Sequence, residues 1–371
     1  MRIVVTGAGG LIGRHARARL HAANCAAAHR GAPERWQIVA LDHAAFQDDA
    51  RLEAALRGAD AVLHFAGVNR APEGEVEAAN PAIAQRLVAA CRATGSDPHV
   101  VHANSTHSGR DTAYGRSKAR AAEVIANGVT RMTDLILPHI FGEGARPFYN
   151  NVTATLIHQI LDGTEPEVNR EGQVALLHAG AAVDMAIAAV ADRLTGRIAP
   201  EGRSMSVGVL YRRLRMFHDS YGTNVIPDLS DPFDLQLFNT YRAAIAPAVR
   251  PLTCNTDPRG TLFEAVKGGG GGQTFLSTTK PGVTRGDHFH LDKVERFLVL
   301  QGEAVIRLRH VLSNEVQEFH VSGTEPAAVD MPTLTTHSIE NTGGGELLTL
   351  FWSHALFDPA APDTYADRVL P

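Results

Sequence analysis

Histidines and a carboxylate in the last third of the chain have the spacing of a metal site. His288 and His290 are one residue apart, and Glu295 and His337 follow them. Side chains on a β-strand alternate between its two faces, so residues i and i+2 point the same way. A carboxylate and a third histidine from neighbouring strands can then complete a set of nitrogen and oxygen ligands. The pattern predicts a metal centre formed by these four side chains.

A second set of reactive residues lies far from the first. Tyr114 and Lys118 are four residues apart, which puts them on one face of a helix. A nearby ammonium favours the tyrosinate, so we expect the pKa of Tyr114 to be lowered. The phenol can then exchange a proton with a carbonyl or alcohol oxygen, and Ser105, at the end of the preceding strand, can bind the same oxygen.

The N-terminus has the pattern of a nucleotide-binding turn. Gly7, Gly10 and Gly13 lie between an apolar strand and a helix. Glycines permit a tight turn and let the backbone approach a pyrophosphate at the helix N-terminus. Asp42, after the second strand, could accept hydrogen bonds from a ribose 2′-hydroxyl and would repel a 2′-phosphate. The alternative, an aspartate that only caps a loop or helix, remains open.

These residues are positioned by two kinds of predicted structure. Strands over 2–6, 37–41, 61–65, 100–102 and 133–137 alternate with helices over 50–57, 78–94 and 114–127. This alternation predicts a doubly wound parallel sheet of the Rossmann type. Short β-rich runs over 274–279, 296–300, 304–308, 316–321 and 347–352 predict an all-β barrel or sandwich. We therefore expect domains over 1–247 and 248–371, with a glycine-rich hairpin loop over 268–272 in the second.

Composition excludes several classes of protein. The chain has 371 residues, 44% of them hydrophobic, and a net charge of −5, which argues against nucleic-acid binding. Cys25, Cys91 and Cys254 are widely spaced, as expected of ordinary cysteines in a reducing compartment. The first residues have no signal-peptide pattern, and no apolar run reaches the length of a membrane-spanning helix. A cytoplasmic protein without membrane contact is expected.

The N-terminal motifs resemble those of the extended short-chain dehydrogenase/reductases. The glycine motif runs from Thr6 to Gly13, and the segment His64–Gly67 is similar to the family's segment beside the cofactor. The resemblance implies hydride transfer with a sugar carbon and a catalytic set of four residues. That set comprises Ser105, Tyr114, Lys118 and Asn80. The implied cofactor-binding residues are Gly7, Gly10, Leu11, Ile12, Gly13, Asp42, His43, Phe65, Ala66, Gly67, Tyr114 and Lys118.

One position departs from that family, and one segment suggests a substrate contact. His139 stands where the family often has asparagine, in the segment after the predicted strand 133–137. The segment from Arg146 to Asn150 is similar to one that contacts the sugar nucleotide in the family. The resemblance therefore implies substrate binding by Arg146 and Asn150, with a solvated loop as the alternative.

The metal-site pattern resembles the cupin signature. The first motif, from Gly282 to Gly302, matches fully, and the second has Leu334 where glycine is usual. The resemblance implies one divalent metal, with zinc as the first expectation. A segment beginning at Asp257 is similar to sugar-nucleotide 3,5-epimerases of the cupin superfamily. It suggests that Arg259 and Arg285 contact a diphosphate, although structural salt bridges would explain them equally well.

A reductase joined to a cupin resembles the CapF family of bifunctional capsular polysaccharide enzymes across nearly the whole chain. Lys280–His288, Thr336–Asn341 and Phe357–Tyr365 also support the resemblance. It implies C3 epimerisation of a UDP-4-keto-6-deoxy-N-acetylhexosamine by the cupin. The reductase would then reduce the C4 ketone to a UDP-2-acetamido-2,6-dideoxy-L-talose-type product.

The resemblance leaves several alternatives. It implies NADPH, whereas the charge of Asp42 favours NADH. We expect a homodimer, because cupin barrels often pair through sheet edges. One alternative is a sugar-nucleotide reductase or epimerase with a non-catalytic cupin. Another is a non-catalytic sugar-nucleotide sensor or scaffold.

Overall fold

The computed structural model describes residues 1–370, which divide into two compact units. Unit 1 comprises residues 1–156 and 167–210, and unit 2 comprises residues 157–166 and those from 211 onward. Residues 211–246 cluster with unit 2, where Asn239 Nδ2 donates to Asp292 O and Arg242 Nη2 donates to Met331 O. The division into folding domains at 247/248 stays a prediction.

Unit 1 is built around a parallel sheet. Its elements, with the two helices that run on into unit 2, are β1 (Arg2–Thr6), α1 (Leu11–His29), β2 (Gln37–Leu41), α2 (His43–Gln47), α3 (Asp49–Leu56), β3 (Ala61–His64), α4 (Glu73–Thr94), β4 (His99–Ser105), α5 (Ala113–Ala126), β5 (Met132–Leu137), β6 (His139–Phe141), α6 (Val152–Leu161), β7 (Gln173–His178), α7 (Ala179–Ala191), β8 (Gly196–Ile198), β9 (Arg203–Ser206) and α8 (Val207–Gly222). The main sheet has the order β2-β1-β3-β4-β5-β8 with every pair parallel, and β6-β7-β9 form a smaller sheet. The predicted Rossmann-type sheet is confirmed.

Burial on both faces explains the continuous apolar strands of this sheet. Ile3 and Val5 are fully buried in one core cluster, whereas Val4 is fully buried in the other. The first cluster includes Leu20 of α1 and Val183 of α7, while the second contains residues of α3, α4 and α5. Helices therefore cover both faces of the sheet. Successive side chains of a strand point to opposite faces, so a strand whose residues are all apolar must be covered on both.

Unit 2 is rich in antiparallel strands. Its further elements are β10 (Val225–Ile226), α9 (Pro232–Arg242), β11 (Val249–Pro251), β12 (Cys254–Asp257), β13 (Gly260–Phe263), β14 (Lys267–Gly268), β15 (Gln273–Thr279), β16 (Thr284–Phe289), β17 (Glu295–Gln301), β18 (Glu303–His310), β19 (Val316–Ser322), β20 (Ala327–Met331), β21 (Thr335–Asn341), β22 (Leu347–Ser353) and β23 (Tyr365–Ala366). Two five-stranded sheets have the orders β11-β20-β17-β22-β15 and β19-β18-β21-β16-β23.

The glycine-rich run over 268–272, predicted to be a hairpin loop, begins in a β-strand. Gly268 belongs to β14, which pairs in parallel with β10, and Gly269 N donates to Ile226 O at 2.8 Å. The run therefore starts in a small parallel pair with a distant segment, because its backbone groups find partners there. Among residues 1–370, no helix is both long and apolar enough to cross a membrane.

Candidate active site and metal centre

Two positions of the glycine turn, Gly7 and Gly13, leave no room for a Cβ. Gly7 has φ +65, and a Cβ there would lie 2.7 Å from Ala66 N; a Cβ on Gly13 would lie 2.2 Å from Gly7 O. Gly10 is the N-cap of α1 and provides no side-chain cap. Backbone N–H groups at the start of this helix are therefore available to an anion, which fits a pyrophosphate. Leu11 and Ile12 begin α1 at this turn.

The segment Phe65–Gly67 is fixed beside the turn by a threonine and a histidine. Ala66 N donates to Thr6 Oγ1 at 3.3 Å, and Thr6 Oγ1 lies 2.8 Å from His64 Nδ1. Burial, with a smaller contribution from the Lys118 charge, lowers the pKa of His64 to about 3. His64 is thus a neutral structural support for the predicted cofactor segment.

Asp42 has the structural role that the sequence left as an alternative. Its Oδ1 accepts Ala45 N at 2.8 Å and caps α2, which begins at the exposed His43. The strand end is held to the glycine turn, because Ala8 N donates to Leu41 O at 3.1 Å. A capping carboxylate still has its charge, so capping does not remove its expected repulsion of a 2′-phosphate.

Tyr114, on α5, forms a side-chain hydrogen bond with Ser105, at the end of β4, and Lys118 follows one turn later on the same helix. Burial raises the pKa of Tyr114, and a side-chain hydrogen bond with Ser105 opposes this rise. The expected lowering of this pKa by Lys118 is wrong for this structure. Lys118 is buried and donates to Ala103 O, and burial lowers its own pKa to about 8 against the opposing charge of Asp134.

Asn80 joins the loop after β3 to α5. Its Oδ1 accepts Val68 N at 2.9 Å, and its Nδ2 donates to Val68 O at 3.0 Å and to Ser117 Oγ at 2.9 Å. A Cβ on Gly67 would lie 3.0 Å from Asn80 Oδ1 and 4.0 Å from Lys118 Nζ. The structure therefore brings Gly67, Asn80 and Lys118 together, and the bonds of Asn80 tie the loop at Val68 to α5 at Ser117.

The segment predicted to contact substrate is tied to the loop after Gly67. Asn150 Nδ2 donates to Asn69 O at 2.9 Å, and Arg70 Nη1 donates to Phe148 O at 3.1 Å. The Arg146 guanidinium lies 5.2 Å from the centre of the Tyr149 ring. Phe148 and Asn150 have φ +58 and +49, so these bonds hold a backbone conformation that is unfavourable for most side chains.

His139 lies at the start of β6, near His107. Burial lowers the pKa of His139, and the charge of His107 adds to this effect. The His107 ring in turn contacts the Tyr114 ring edge-on at 6.0 Å. The histidine that replaces the usual asparagine is therefore part of the surroundings of the predicted catalytic tyrosine.

In unit 2, the four predicted metal ligands converge. The rings of His288, His290 and His337 lie 4.6–5.2 Å apart, and one ligand atom from each, with one from Glu295, lie within 4.8 Å of one another. His290 follows the end of β16, and a bulge between Gly286 and His288 precedes it. The histidines thus converge through an irregular strand end, whereas the sequence predicted a regular strand.

Hydrogen bonds determine which nitrogens face the centre of this cluster. His290 Nδ1 contacts Asp363 O and His337 Nδ1 contacts Thr335 O, so each Nδ1 must be the donor. In the neutral rings, Nε2 is then an unprotonated acceptor. His290 Nε2 nevertheless lies 2.9 Å from Glu295 Oε2, and the buried His337 Nε2 lies 3.6 Å from that oxygen with no hydrogen bond.

The lone pairs of His290 Nε2, His337 Nε2 and Glu295 Oε2 thus point at one another. Such an arrangement requires either a cation between these atoms or protons on the imidazoles. Burial lowers the pKa of His288 to about 3, with the charges of His337 and His290 adding to the effect. Burial would raise the pKa of Glu295, but the neighbouring imidazoles of His290 and His337 lower it overall. Burial also lowers the pKa of His337, and three imidazoles around an ionised carboxylate fit a divalent metal.

A cavity of about 550 Å³ opens beside these ligands. Its lining includes His288, Glu295, Arg285 and a wall of Phe275, Phe297 and Phe351. Arg285 Nε donates to Thr279 Oγ1 at 2.9 Å, which fixes the guanidinium at the cavity wall. Arg259 does not line the cavity; it lies on the exposed β12–β13 hairpin and forms a salt bridge to Asp257 at 2.5 Å.

A second histidine–carboxylate cluster was not expected from the sequence. His15, Glu143 and His178 are buried together, and His178 Nε2 lies 2.8 Å from Glu143 Oε2. Gly180 N donates to His178 Nδ1 at 3.2 Å, so Nε2 carries the proton that binds the carboxylate. Because that nitrogen is protonated, the cluster is a hydrogen-bonded support and not a set of metal ligands.

Comparisons with known proteins agree with this two-part arrangement. Residues 3–201 match the NAD dependent epimerase/dehydratase family, and residues 255–365 match the polysaccharide biosynthesis C-terminal domain. A UDP-2-acetamido-2,6-beta-L-arabino-hexul-4-ose reductase of Pseudomonas aeruginosa is 29% identical over 100% of this chain and 99% of that protein.

Solved structures of CapF are similar over the full length. The capsular polysaccharide assembling protein CapF of Staphylococcus aureus is 29% identical with a TM-score of 0.58, and 100% of both chains is covered. CapF with the inhibitor 3-isopropenyl-tropolone is 29% identical with a TM-score of 0.55 at the same coverage. The predicted resemblance to CapF is confirmed, and the chain belongs to the NAD dependent epimerase/dehydratase family.

Proposed function

We propose that this chain is a bifunctional UDP-sugar enzyme of bacterial surface polysaccharide biosynthesis. Unit 2 would epimerise C3 of a UDP-4-keto-6-deoxy-N-acetylhexosamine, and unit 1 would reduce the C4 ketone with a nicotinamide cofactor. The product would be of the UDP-2-acetamido-2,6-dideoxy-L-talose type. The full-length similarity to a UDP-sugar 4-ulose reductase and to CapF supports this substrate class.

The observation that carries the proposal is the set of unprotonated nitrogens and one carboxylate beside a cavity. His290 Nε2, His337 Nε2 and Glu295 Oε2 converge, and His288 and Glu295 line the cavity. A site used only for dimerisation would not need acceptors that repel one another around an open cavity. We propose that the two five-stranded sheets form a cupin barrel and that the four ligands hold one zinc ion.

The epimerisation exploits the C4 ketone of the substrate. Resonance with this ketone acidifies the neighbouring C3–H, so a base can remove the proton and an acid can return one to the opposite face. When bound, a divalent metal would supply a Lewis acid that favours the negative oxygen of the enolate. Arg285 would contribute a fixed positive charge at the cavity wall for the diphosphate. Arg259 is proposed as a second diphosphate contact through its exposed hairpin.

The reduction uses the residues of unit 1. The cofactor supplies a hydride to C4, and Tyr114 donates its phenolic proton to the oxygen. Ser105, which hydrogen-bonds Tyr114, would bind the same oxygen, and Lys118, held by Ala103 O in this structure, is proposed to act with Tyr114 once cofactor and substrate are bound. Arg146 and Asn150 are proposed to bind the sugar nucleotide. Because reduction removes the ketone that acidifies C3–H, epimerisation must come first.

The nicotinamide cofactor fits the glycine turn, where a Cβ on Gly7 or Gly13 would occupy the space of the backbone. We propose NADPH from the resemblance to the family, with NADH as the alternative that the charge of Asp42 favours. A homodimer is also proposed. The two proposed reactions require neither one particular nicotinamide cofactor nor a dimer.

Two variants separate the reactions. Tyr114→Phe should lower cofactor oxidation by about 10²–10⁴-fold and leave solvent deuterium exchange at C3 intact. His337→Ala should abolish the exchange, while the matched variant His320→Ala, at an exposed histidine of unit 2, should keep both reactions. If deuterium exchange survives in His337→Ala, the proposed metal site does not catalyse it. The alternative of a sugar-nucleotide reductase with a non-catalytic second unit would then be favoured. Undiminished oxidation in Tyr114→Phe would refute the hydride-transfer site.

A further inference from the structure

The C-terminal segment of the chain runs along the strand that carries the metal ligands. In this segment, Tyr365 and Ala366 of β23 pair antiparallel with Phe289 and His288 of β16. The Tyr365 ring packs against the Phe289 ring at 5.3 Å. Residues 362–367 therefore belong to the surroundings of the ligands, although they contain none of the ligands themselves.

Asp363 holds the turn that separates His290 from Glu295. Its Oδ1 accepts Leu291 N at 2.9 Å, and its Oδ2 accepts Asp292 N at 2.9 Å and Lys293 N at 2.8 Å. Three successive backbone N–H groups thus converge on one carboxylate. Charge-assisted bonds of this kind fix the path of the backbone between the two ligands.

The backbone of the same residue acts on the histidine ring. Asp363 O accepts the Nδ1 proton of His290, which leaves Nε2 unprotonated and directed at Glu295. Asp363 has φ +41, a left-handed conformation that is uncommon outside glycine but that aspartate adopts more readily than most residues. Its carboxylate bonds hold this conformation, and the conformation directs the carbonyl towards His290.

We propose that Asp363 is a positioning residue of the metal centre, which sets the tautomer and angle of His290 through its carbonyl while its carboxylate anchors the turn. The inference rests on the proposed metal centre and deepens it. It makes the C-terminal segment a requirement for tight metal binding. Partners that orient a metal-bound histidine typically change metal affinity by about 10–100-fold when removed.

The test measures binding of Zn²⁺ alone to the full-length protein by competition with a chromophoric chelator. Asp363→Ala, which keeps the carbonyl but removes the carboxylate anchor, should weaken binding by about 10–100-fold. Asp363→Asn keeps one side-chain acceptor and should lie between Asp363→Ala and the wild type. Asp358→Ala is the matched control, because Asp358, just before that segment, also accepts a backbone N–H, from Ala360. It should bind as the wild type does.

A second readout reports geometry as well as affinity. The visible absorption of bound Co²⁺ should change in Asp363→Ala and remain unchanged in Asp358→Ala, because only the first variant frees the His290 ring. Wild-type affinity and an unchanged Co²⁺ spectrum in both Asp363 variants would overturn the inference. If the wild type binds no Zn²⁺, the metal centre of the proposed function fails, and the inference fails with it. Weaker binding and an altered spectrum in a folded Asp363→Asn support the inference even if Asp363→Ala does not fold.

Discussion

His64 should make unit 1 sensitive to acid. In the folded chain its pKa is lowered to about 3 by burial, with the Lys118 charge contributing less, against 6.5 for an ordinary histidine. As the pH falls below 6.5, the unfolded chain takes up a proton that the folded chain refuses until about pH 3. The contribution of neutral His64 to the stability of unit 1 is therefore fully present above pH 6.5 and is lost as the pH falls from 6.5 to about 3.

The size of the effect follows from that window. Each pH unit below the unfolded pKa costs about 1.4 kcal/mol, so the loss between about pH 8 and about pH 5 is about 2 kcal/mol for this side chain. The variant His64→Asn should lack this term, since asparagine offers an acceptor to Thr6 Oγ1 but takes up no proton. Between about pH 8 and about pH 5, the free energy of unfolding of His64→Asn should fall by about 2 kcal/mol less than that of its parent.

The two tryptophans allow the unfolding of unit 1 to be followed alone. Trp36 is 1% exposed in the core of unit 1, and Trp352 lies in β22 of unit 2. In a Trp352→Phe background, urea unfolding followed by Trp36 fluorescence would report unit 1 in the full-length chain. His29→Asn, at an exposed position of α1, is the control and should preserve the parent's pH dependence. Equal pH dependence in the parent and His64→Asn would refute the reasoning.

Three further substitutions test other parts of the structure. Asp42→Ser keeps a capping side chain but removes the charge, so the NADPH/NADH ratio of kcat/KM should rise by about 10-fold or more; an unchanged ratio would exclude Asp42 as the determinant. Asp330→Asn breaks the buried pair with Arg296, at 2.6 Å, and should cost about 3–5 kcal/mol of unfolding free energy in urea titrations; a loss below about 1 kcal/mol would contradict this. Asn80→Ala leaves both backbone groups of Val68 without their side-chain partner and should cost about 1–3 kcal/mol together with a fall in kcat; wild-type stability would show that water replaces these bonds.

The parallel sheet was predictable because its signals are local. Apolar runs such as Ile3–Val5 must be buried on both faces, and the glycine turn follows directly from the strand that needs it. The four candidate ligands could also be selected from spacing. Their convergence depends on an irregular feature that spacing does not show, the bulge before His288.

Contacts between residues distant in sequence were not predictable. Asp363 meets His290 across 73 positions, and its left-handed backbone has no glycine to mark it. Gly268 was expected in a hairpin loop because glycine-rich runs are usually loops, yet β14 pairs with a segment before α9. The pKa of Tyr114 was misjudged for a related reason, since pattern reasoning identifies a neighbouring ammonium but does not show how deeply the phenol is buried.

The central claim is that one chain first epimerises and then reduces the same ketone. The most direct measurement is NMR analysis of the products formed from a UDP-4-keto-6-deoxy-N-acetylhexosamine in D₂O, with zinc-loaded and metal-stripped protein. Zinc-loaded protein should incorporate deuterium at C3 without any cofactor, and adding NADPH or NADH should give a C4 alcohol deuterated at C3. Metal-stripped protein should lose the exchange. Reduction without deuterium at C3, or exchange that is indifferent to metal, would contradict the account.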